Sequence, residues 1–175
     1  ALLPAEGGDG APERVLGRAR TLAERLRRHG TVGLSSFYAD PADLLHREGP
    51  LVCLDGAHDP RNVGAVARVA ECAAAAGMAL PRRGGPGVTP TVAKASAGAV
   101  EWLAIARVGS VAAFVHDARS AGRLALGADP GDGEDYRGLA WPPDPVIVLG
   151  SEGAGLRPRV RDACDGLVSI PTAGH

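Results

Sequence analysis

Aromatic side chains are scarce: Phe, Tyr and Trp make up 3% of the 175 residues, although 45% of the chain is apolar. A core of adequate size must then be built from Ala, Val and Leu, which suits close packing of helices on a sheet. Lysine is scarcer still. Lys94 is the single one, and the other basic residues are arginine. Much of that bias reads as genome composition, yet arginine also brings planar, always-charged donor forks that fit phosphate. A net charge of -1 excludes a chain drawn as a whole to nucleic acid or membrane, and leaves room only for local basic patches. Cys53, Cys72 and Cys164 are odd in number and show no Cys-x-x-Cys spacing. That argues against a disulfide framework or a zinc site, and reads as small buried hydrophobes in a reducing, cytoplasmic setting. No apolar run approaches the roughly 20 residues of a membrane span, no signal peptide is recognisable, and no internal repeat suggests a solenoid.

What is present is one layout used twice. Leu51-Val52-Cys53-Leu54 is an apolar run that passes through a polar turn, residues 55–60, into an alanine-rich helix. Val146-Ile147-Val148-Leu149 repeats it, with Gly150-Ser151-Glu152-Gly153-Ala154-Gly155 as the turn and a helical stretch over 156–164. A strand, loop and helix in that order place the loop at the carboxyl edge of a parallel sheet. Two such units bring two loops to the same edge, where chemistry is expected.

Taken in order, residues 1–12 are rich in Gly, Ala, Pro and acid and read as a flexible end. Residues 13–29 show an apolar helical face (Val15, Leu16, Ala19, Leu22, Ala23, Leu26) with arginines elsewhere. Either this is a solvated face on a packed helix, or a basic helix that meets RNA or a partner. Residues 31–49 form a connection with one helical turn at 41–47, so the chain divides into an arm, 1–49, and a domain, 50–175. In the domain, strands are predicted at 51–55, 78–80, 102–108, 124–127 and 146–149. Helices are predicted at 62–76, 91–97, 110–121 (capped by Ser110) and 156–164. Gly77 is expected to close the first helix as a left-handed cap. Residues 81–90, carrying Arg82 and Arg83, and residues 128–138 read as loops. The alternation specifies an α/β fold: a mostly parallel sheet with helices on both faces.

The glycine turn alone is weak evidence. It lacks the Lys-Ser/Thr ending of a phosphate loop, and the dinucleotide spacing Gly-x-Gly-x-x-Gly is absent. The acid at its centre disfavours a phosphate and is tolerable beside a cation.

Read together, LDGAHDPRNVGAVARVAECAAAAGM and VIVLGSEGAGLRPRVRDACDGLVSIPTAG resemble the first and second signature motifs of the SpoU/TrmH family, RNA ribose 2′-O-methyltransferases of the SPOUT class. GVTPTVAKASAGAVEWLAIARV is similar to that family's middle segment, and the likeness covers about residues 50–175. The resemblance implies an α/β trefoil knot, a homodimer, S-adenosylmethionine as methyl donor, no metal, and RNA as substrate, with ribosomal RNA preferred over transfer RNA. It implies Arg68, Asn62 and Glu152 as catalytic residues. Leu149, Gly150, Gly153, Gly155, Ile170 and Pro171 are expected around the methyl donor, and Arg82, Arg83, Lys94 and Arg157 are candidate RNA contacts or else solvated surface charges. The family's third motif, an Asn-Val-Ser-like segment that helps wall the pocket, is expected within a few residues of Gly174, and the chain ends at His175. The expectation is a fragment, or else a non-catalytic RNA-binding or assembly module with a degenerate pocket.

The chemistry sets its own demands. A neutral hydroxyl must lose its proton as it attacks a sulfonium methyl, so the site needs alignment, stabilisation of alkoxide charge and a route for the proton. Arginine stays protonated in proteins and is a poor base. Arg68 would stabilise the nascent alkoxide and grip a neighbouring phosphate; alternatively it is a plain surface charge. Asn62 is read as the N-cap of its helix, a substrate-positioning group, or both. Asp59 would bond loop amides, and His58 is either a titratable neighbour of the site or a surface histidine.

Overall fold

Apolar runs bounded by turn residues become strands, and the strands join in one sheet. The computed structural model describes residues 38–171. The helix expected at 13–29 lies outside them. Strands β1 (Leu51–Leu54), β2 (Gly77–Pro81), β3 (Ile105–Val108), β4 (Ala125–Ala128), β5 (Glu134–Asp135), β6 (Val146–Leu149) and β7 (Gly166–Ser169) lie in the order β3-β2-β1-β6-β4-β7-β5. Every pairing is parallel. The helices are α1 (Pro41–Leu45), α2 (Pro60–Cys72), α3 (Pro90–Ala95), α4 (Val111–Ser120) and α5 (Pro158–Ala163).

Side-chain alternation sorts the helices onto two faces. Leu51 and Cys53 of β1, Ala79 of β2, and Val146 and Val148 of β6 share a buried cluster with Leu44 of α1, Val111, Phe114, Val115 and Ala118 of α4, and Val160 of α5. Val52 and Leu54 therefore point to the other face, where α2 and α3 pack against each other and bury Val63, Ala67, Ala70 and Val92. The helix after β1 thus leaves on one side of the sheet and the helix after β6 on the other. Between those neighbouring strands a crevice opens at the carboxyl edge.

Small residues make the α2–α3 packing possible. A Cβ on Gly64 would lie 2.5 Å from Ala95 Cβ and 2.8 Å from the Val92 carbonyl oxygen. Arg123, only 5% exposed, serves the other face. Its Nε donates to the Leu45 carbonyl at 3.0 Å, Nη1 to Gly49 at 2.9 Å and Asp144 at 3.2 Å, and Nη2 to Arg47. One guanidinium so ties the end of α1 to the starts of β1 and β6. Residues 38–49, grouped by sequence with the arm, belong to the sheet domain: the compact unit starts at Tyr38, and Leu44 is fully buried.

Several expected boundaries move. Helix α2 begins at Pro60 under an Asp59 cap and ends at Cys72, and Ala74 takes the left-handed turn (φ 54°). Gly77 is not a cap but the first residue of β2, where a Cβ would meet the Ala104 carbonyl and Leu44 at 2.7 Å. The strand expected from 102 starts at Ile105, after the 3-10 turn Ala99–Glu101. The 128–138 loop contains β5, and β7 follows α5; neither strand is predicted from the sequence. Both are short or half-exposed, so they carry no apolar run.

Two outcomes follow. Replacing Arg123 by Met strands several carbonyls, and urea unfolding should show a loss of about 2–4 kcal/mol; a change below about 0.5 kcal/mol would contradict the role given to it. Thiol reactivity should be uneven. Cys72 is exposed and not the buried hydrophobe expected, because it falls on the outer side of the last turn of α2. Burial, by contrast, pushes the Cys53 thiol far up and the half-buried Cys164 thiol to about 11. A chromogenic disulfide reagent at pH 8 should titrate Cys72 quickly and reach the other two only on denaturation.

Candidate active site

Two loops meet at the crevice because a carboxylate joins them. Asp55 follows β1 directly and is fully buried. Its own N–H donates to the Leu149 carbonyl at 2.7 Å, which extends the β1–β6 ladder. Its carboxylate accepts the Arg157 backbone N–H at 2.8 Å, Arg157 Nε at 2.6 Å, and Arg157 Nη2. Asp55 in turn holds the Arg157 guanidinium above its usual range. Arg157 is the residue before α5. The head of the first loop is thereby fastened to the tail of the second.

The second loop closes on itself. Ser151 and Gly155 exchange backbone hydrogen bonds, each 2.9 Å, and Gly153 and Gly155 take left-handed conformations (φ 83° and 67°). A Cβ on Gly150 would collide with the Gly155 backbone. These three glycines, expected to admit a ligand, are required first by the loop's own turn.

Beneath the loops lies a cleft of about 610 Å³, lined by Leu54 and Leu149 at the strand ends, residues 56–59 and 150–152, and Asn62, Ala65 and Val66 of α2. That volume suits a small molecule. Asn62 Nδ2 donates to Glu152 Oε2 at 3.1 Å, so two residues 90 apart in sequence are paired across it. Asn62 is therefore not the helix cap. Asp59 caps α2, its carboxylate accepting the Arg61 N–H at 2.7 Å, and Asn62 is freed for the cleft. Among the described residues the lining includes His58, Asp59 and Glu152 and no Arg or Lys. The cleft is acidic, which suits a cationic ligand better than a phosphate.

The remaining expected site residues are spread around this centre. Leu149 and Gly150 line the cleft; Gly153, Gly155, Ile170 and Pro171 do not, and Ile170 is 64% exposed beyond β7. Arg68 is exposed and off the cleft wall, six residues and so about 120° round α2 from Asn62. Its side chain makes no hydrogen bond or ion pair among the described residues. Arg82 and Arg83 leave β2 at the same sheet edge, and Lys94 lies in the last turn of α3; all three are exposed. Arg157 pairs with Asp55, and its side chain remains 58% exposed. Sequence reasoning missed Asp55 as a partner. Its one sequence signal is an acid set directly after an apolar strand, and nothing marks which arginine it takes.

The sequence profile described as the SpoU rRNA Methylase family matches residues 49–175. A Staphylococcus haemolyticus protein placed in the TrmH family of tRNA/rRNA methyltransferases is 38% identical over 125 residues, 71% of this chain and 50% of that protein. The chain thus spans about half the length of the curated relatives it matches. An AdoMet-bound rRNA methyltransferase from Sinorhizobium meliloti superposes with a TM-score of 0.71 at 28% identity, covering 79% of this chain and 53% of that one. The SpoU methyltransferase AviRb from Streptomyces viridochromogenes, in complex with the cofactor AdoMet, gives 0.68 at 29% identity, with 78% and 54% covered.

Removing Arg157's side chain would leave the Asp55 carboxylate buried with one backbone donor. Arg157→Leu should lower unfolding stability by about 2–4 kcal/mol, and Arg157→Lys, which keeps the charge but not the fork, by less. Equal stability of Leu and parent proteins in urea would show that the pair does not hold the loops together.

Proposed function

We propose that this chain, which belongs to the SpoU rRNA methylase family, is an RNA methyltransferase that uses S-adenosylmethionine and modifies a ribose 2′-hydroxyl. Ribosomal RNA is favoured over transfer RNA, and the setting is the cytoplasm. The observation that carries the reading is the Asn62–Glu152 bond across an acidic cleft at the β1–β6 edge. It joins the two motifs that sequence alone places far apart. The two AdoMet-bound neighbours support the choice of methyl donor.

The residues present fit that group. Leu54, Leu149, Ala65 and Val66 give apolar walls, and Glu152 and Asp59 give negative charge beside a cationic centre. S-adenosylmethionine supplies an electrophilic methyl when bound. The chain's own residues provide the rest. Leu149 and Gly150 wall the donor pocket, with Gly153, Gly155, Ile170 and Pro171 completing its rim. Asn62, held by Glu152, positions the ribose. Arg68 stabilises the developing alkoxide, and the proton passes to phosphate or water, since a guanidinium does not accept it. Arg82, Arg83 and Lys94 meet the RNA backbone.

The family's trefoil knot and homodimer are part of the same proposal. Val69, the neighbour of Arg68, is 66% exposed, an apolar side chain that a second copy would cover. Such a copy would also enclose the substrate side of α2, where Arg68 stands.

Transfer of tritium from labelled S-adenosylmethionine to ribosomal RNA, collected on filters, tests the reaction. Arg68→Ala should lower the rate by about 100-fold while calorimetric affinity for the methyl donor persists. Full activity in that variant would remove the role given to Arg68. Absence of saturable donor heat in the parent protein would favour the RNA-binding module over the enzyme.

A further inference from the structure

The loop that follows β2 is held in place by two residues that are not among the expected site residues. Arg107, on β3, donates through Nη2 to the Arg82 carbonyl at 2.9 Å, and Arg82 Nε returns a bond to the Arg107 carbonyl at 3.2 Å. The Arg107 guanidinium lies 5.8 Å from the centre of the Tyr38 ring. The Tyr38 hydroxyl accepts the Val88 N–H at 2.8 Å. Both ends of the segment 82–88 are therefore fixed from below. Gly87 sits so close over Arg107 and Tyr38 that a Cβ there would overlap both.

What the brace presents is a set of unused donors. Arg83 is exposed and its side chain has no partner among the described residues. The backbone N–H groups of Arg83, Gly84 and Gly85 donate no hydrogen bond there either. Gly84 is left-handed (φ 78°), the kind of turn in which successive N–H groups converge on an anion. The segment also borders the cleft: a Cβ on Gly85 would lie 3.0 Å from the carbonyl oxygen of Ala57, a lining residue. An anion held here would sit beside the acidic cleft and outside it.

We propose that residues 83–85 form a preformed grip for one phosphodiester of the RNA strand, and that Arg107 and Tyr38 are the positioning residues that keep it formed. The proposal rests on RNA being the substrate. Arg83 is the contact; Arg107 and Tyr38 act through the loop. A loop already in its bound shape loses less entropy on meeting the strand, so loosening it weakens binding with no change in charge.

Filter binding of purified ribosomal RNA by the whole protein, over a series of salt concentrations, is the test. Arg83→Ala should weaken binding about three- to tenfold and lower the slope of log K against log salt by about 1. Arg107→Lys keeps its charge, and Tyr38→Phe keeps its ring and removes the acceptor for the Val88 N–H. Both should still weaken RNA binding, by about three- to tenfold and about two- to threefold, because the loop is less ordered. Unchanged affinity in both brace variants, or an unchanged salt slope in Arg83→Ala, would overturn the proposal. Calorimetry with S-adenosylmethionine on the parent protein keeps the two readings apart. RNA binding with these sensitivities and no donor heat would leave the grip standing and remove the methyltransferase.

Discussion

A carboxylate taken fully out of water costs several kcal/mol unless it is matched nearly bond for bond. Asp55 is matched by one residue, Arg157, through a backbone N–H and two guanidinium N–H groups. That constraint has a consequence for geometry. Asp55 heads the loop after β1, Arg157 closes the loop after β6, and neither can move without breaking the other's bonds. The Arg157 side chain is 58% exposed, so the pair is buried on the acid's side and solvated on the arginine's. This asymmetry keeps desolvation of the guanidinium small while the carboxylate still gains a charged partner. With the two loops fixed in this way, Asn62 and Glu152 come within hydrogen-bonding distance. The cleft is a by-product of the latch, in the sense that its walls are the two loop heads the latch holds.

The rest of the fold can be read as support for that edge. Strand β6 is late in the chain yet lies between β1 and β4, with Val146 and Val148 fully buried. On the α2 face, Gly64 lets α3 approach, and α3 is the helix that carries Lys94. On the other face, Arg123 gathers carbonyls from the end of α1 and the approaches to β1 and β6. A lysine could not do the same, because four carbonyls in different directions call for a planar fork with several donors. The scarcity of lysine has a structural side here: at positions 123 and 157 the geometry uses the fork and not only the charge.

How much of this is legible in sequence depends on whether a feature is local. The central strands and α4 with its Ser110 cap are readable because apolar runs and caps are local signals. The two-loop site is readable because both loops follow such strands. Asn62 looked like a cap because it stands near the start of a helix after a turn; Asp59 wins that place because Pro60 fixes the first helical residue one step after it. Gly77 looked like a cap because glycine commonly ends helices, whereas here crowding by Leu44 and Ala104 requires it. Strand β5 is two exposed acidic residues and has no periodicity to detect. Pairings such as Asp55 with Arg157 or Arg107 with Tyr38 join residues 102 and 69 apart, and composition says nothing of them.

The separation of charge at this edge bears on how one site would handle two unlike ligands. Lining residues of the cleft include Asp59 and Glu152 without any arginine or lysine among those described. The exposed basic groups Arg82, Arg83 and Lys94 stand on the next loop and helix. If the arginines lined the cleft, a cationic donor would be repelled and an RNA phosphate would compete for its place. If the acids stood on the loop, the strand would be repelled before reaching the cleft. Placing acid and base on adjacent loops of one sheet edge lets a cation settle inside and a polyanion lie across the rim. Arg68 is exposed on α2 with its side chain unpartnered among the described residues, which is what the role proposed for it requires. A guanidinium already paired within the fold would have to break that pair before it could stabilise a transient negative charge.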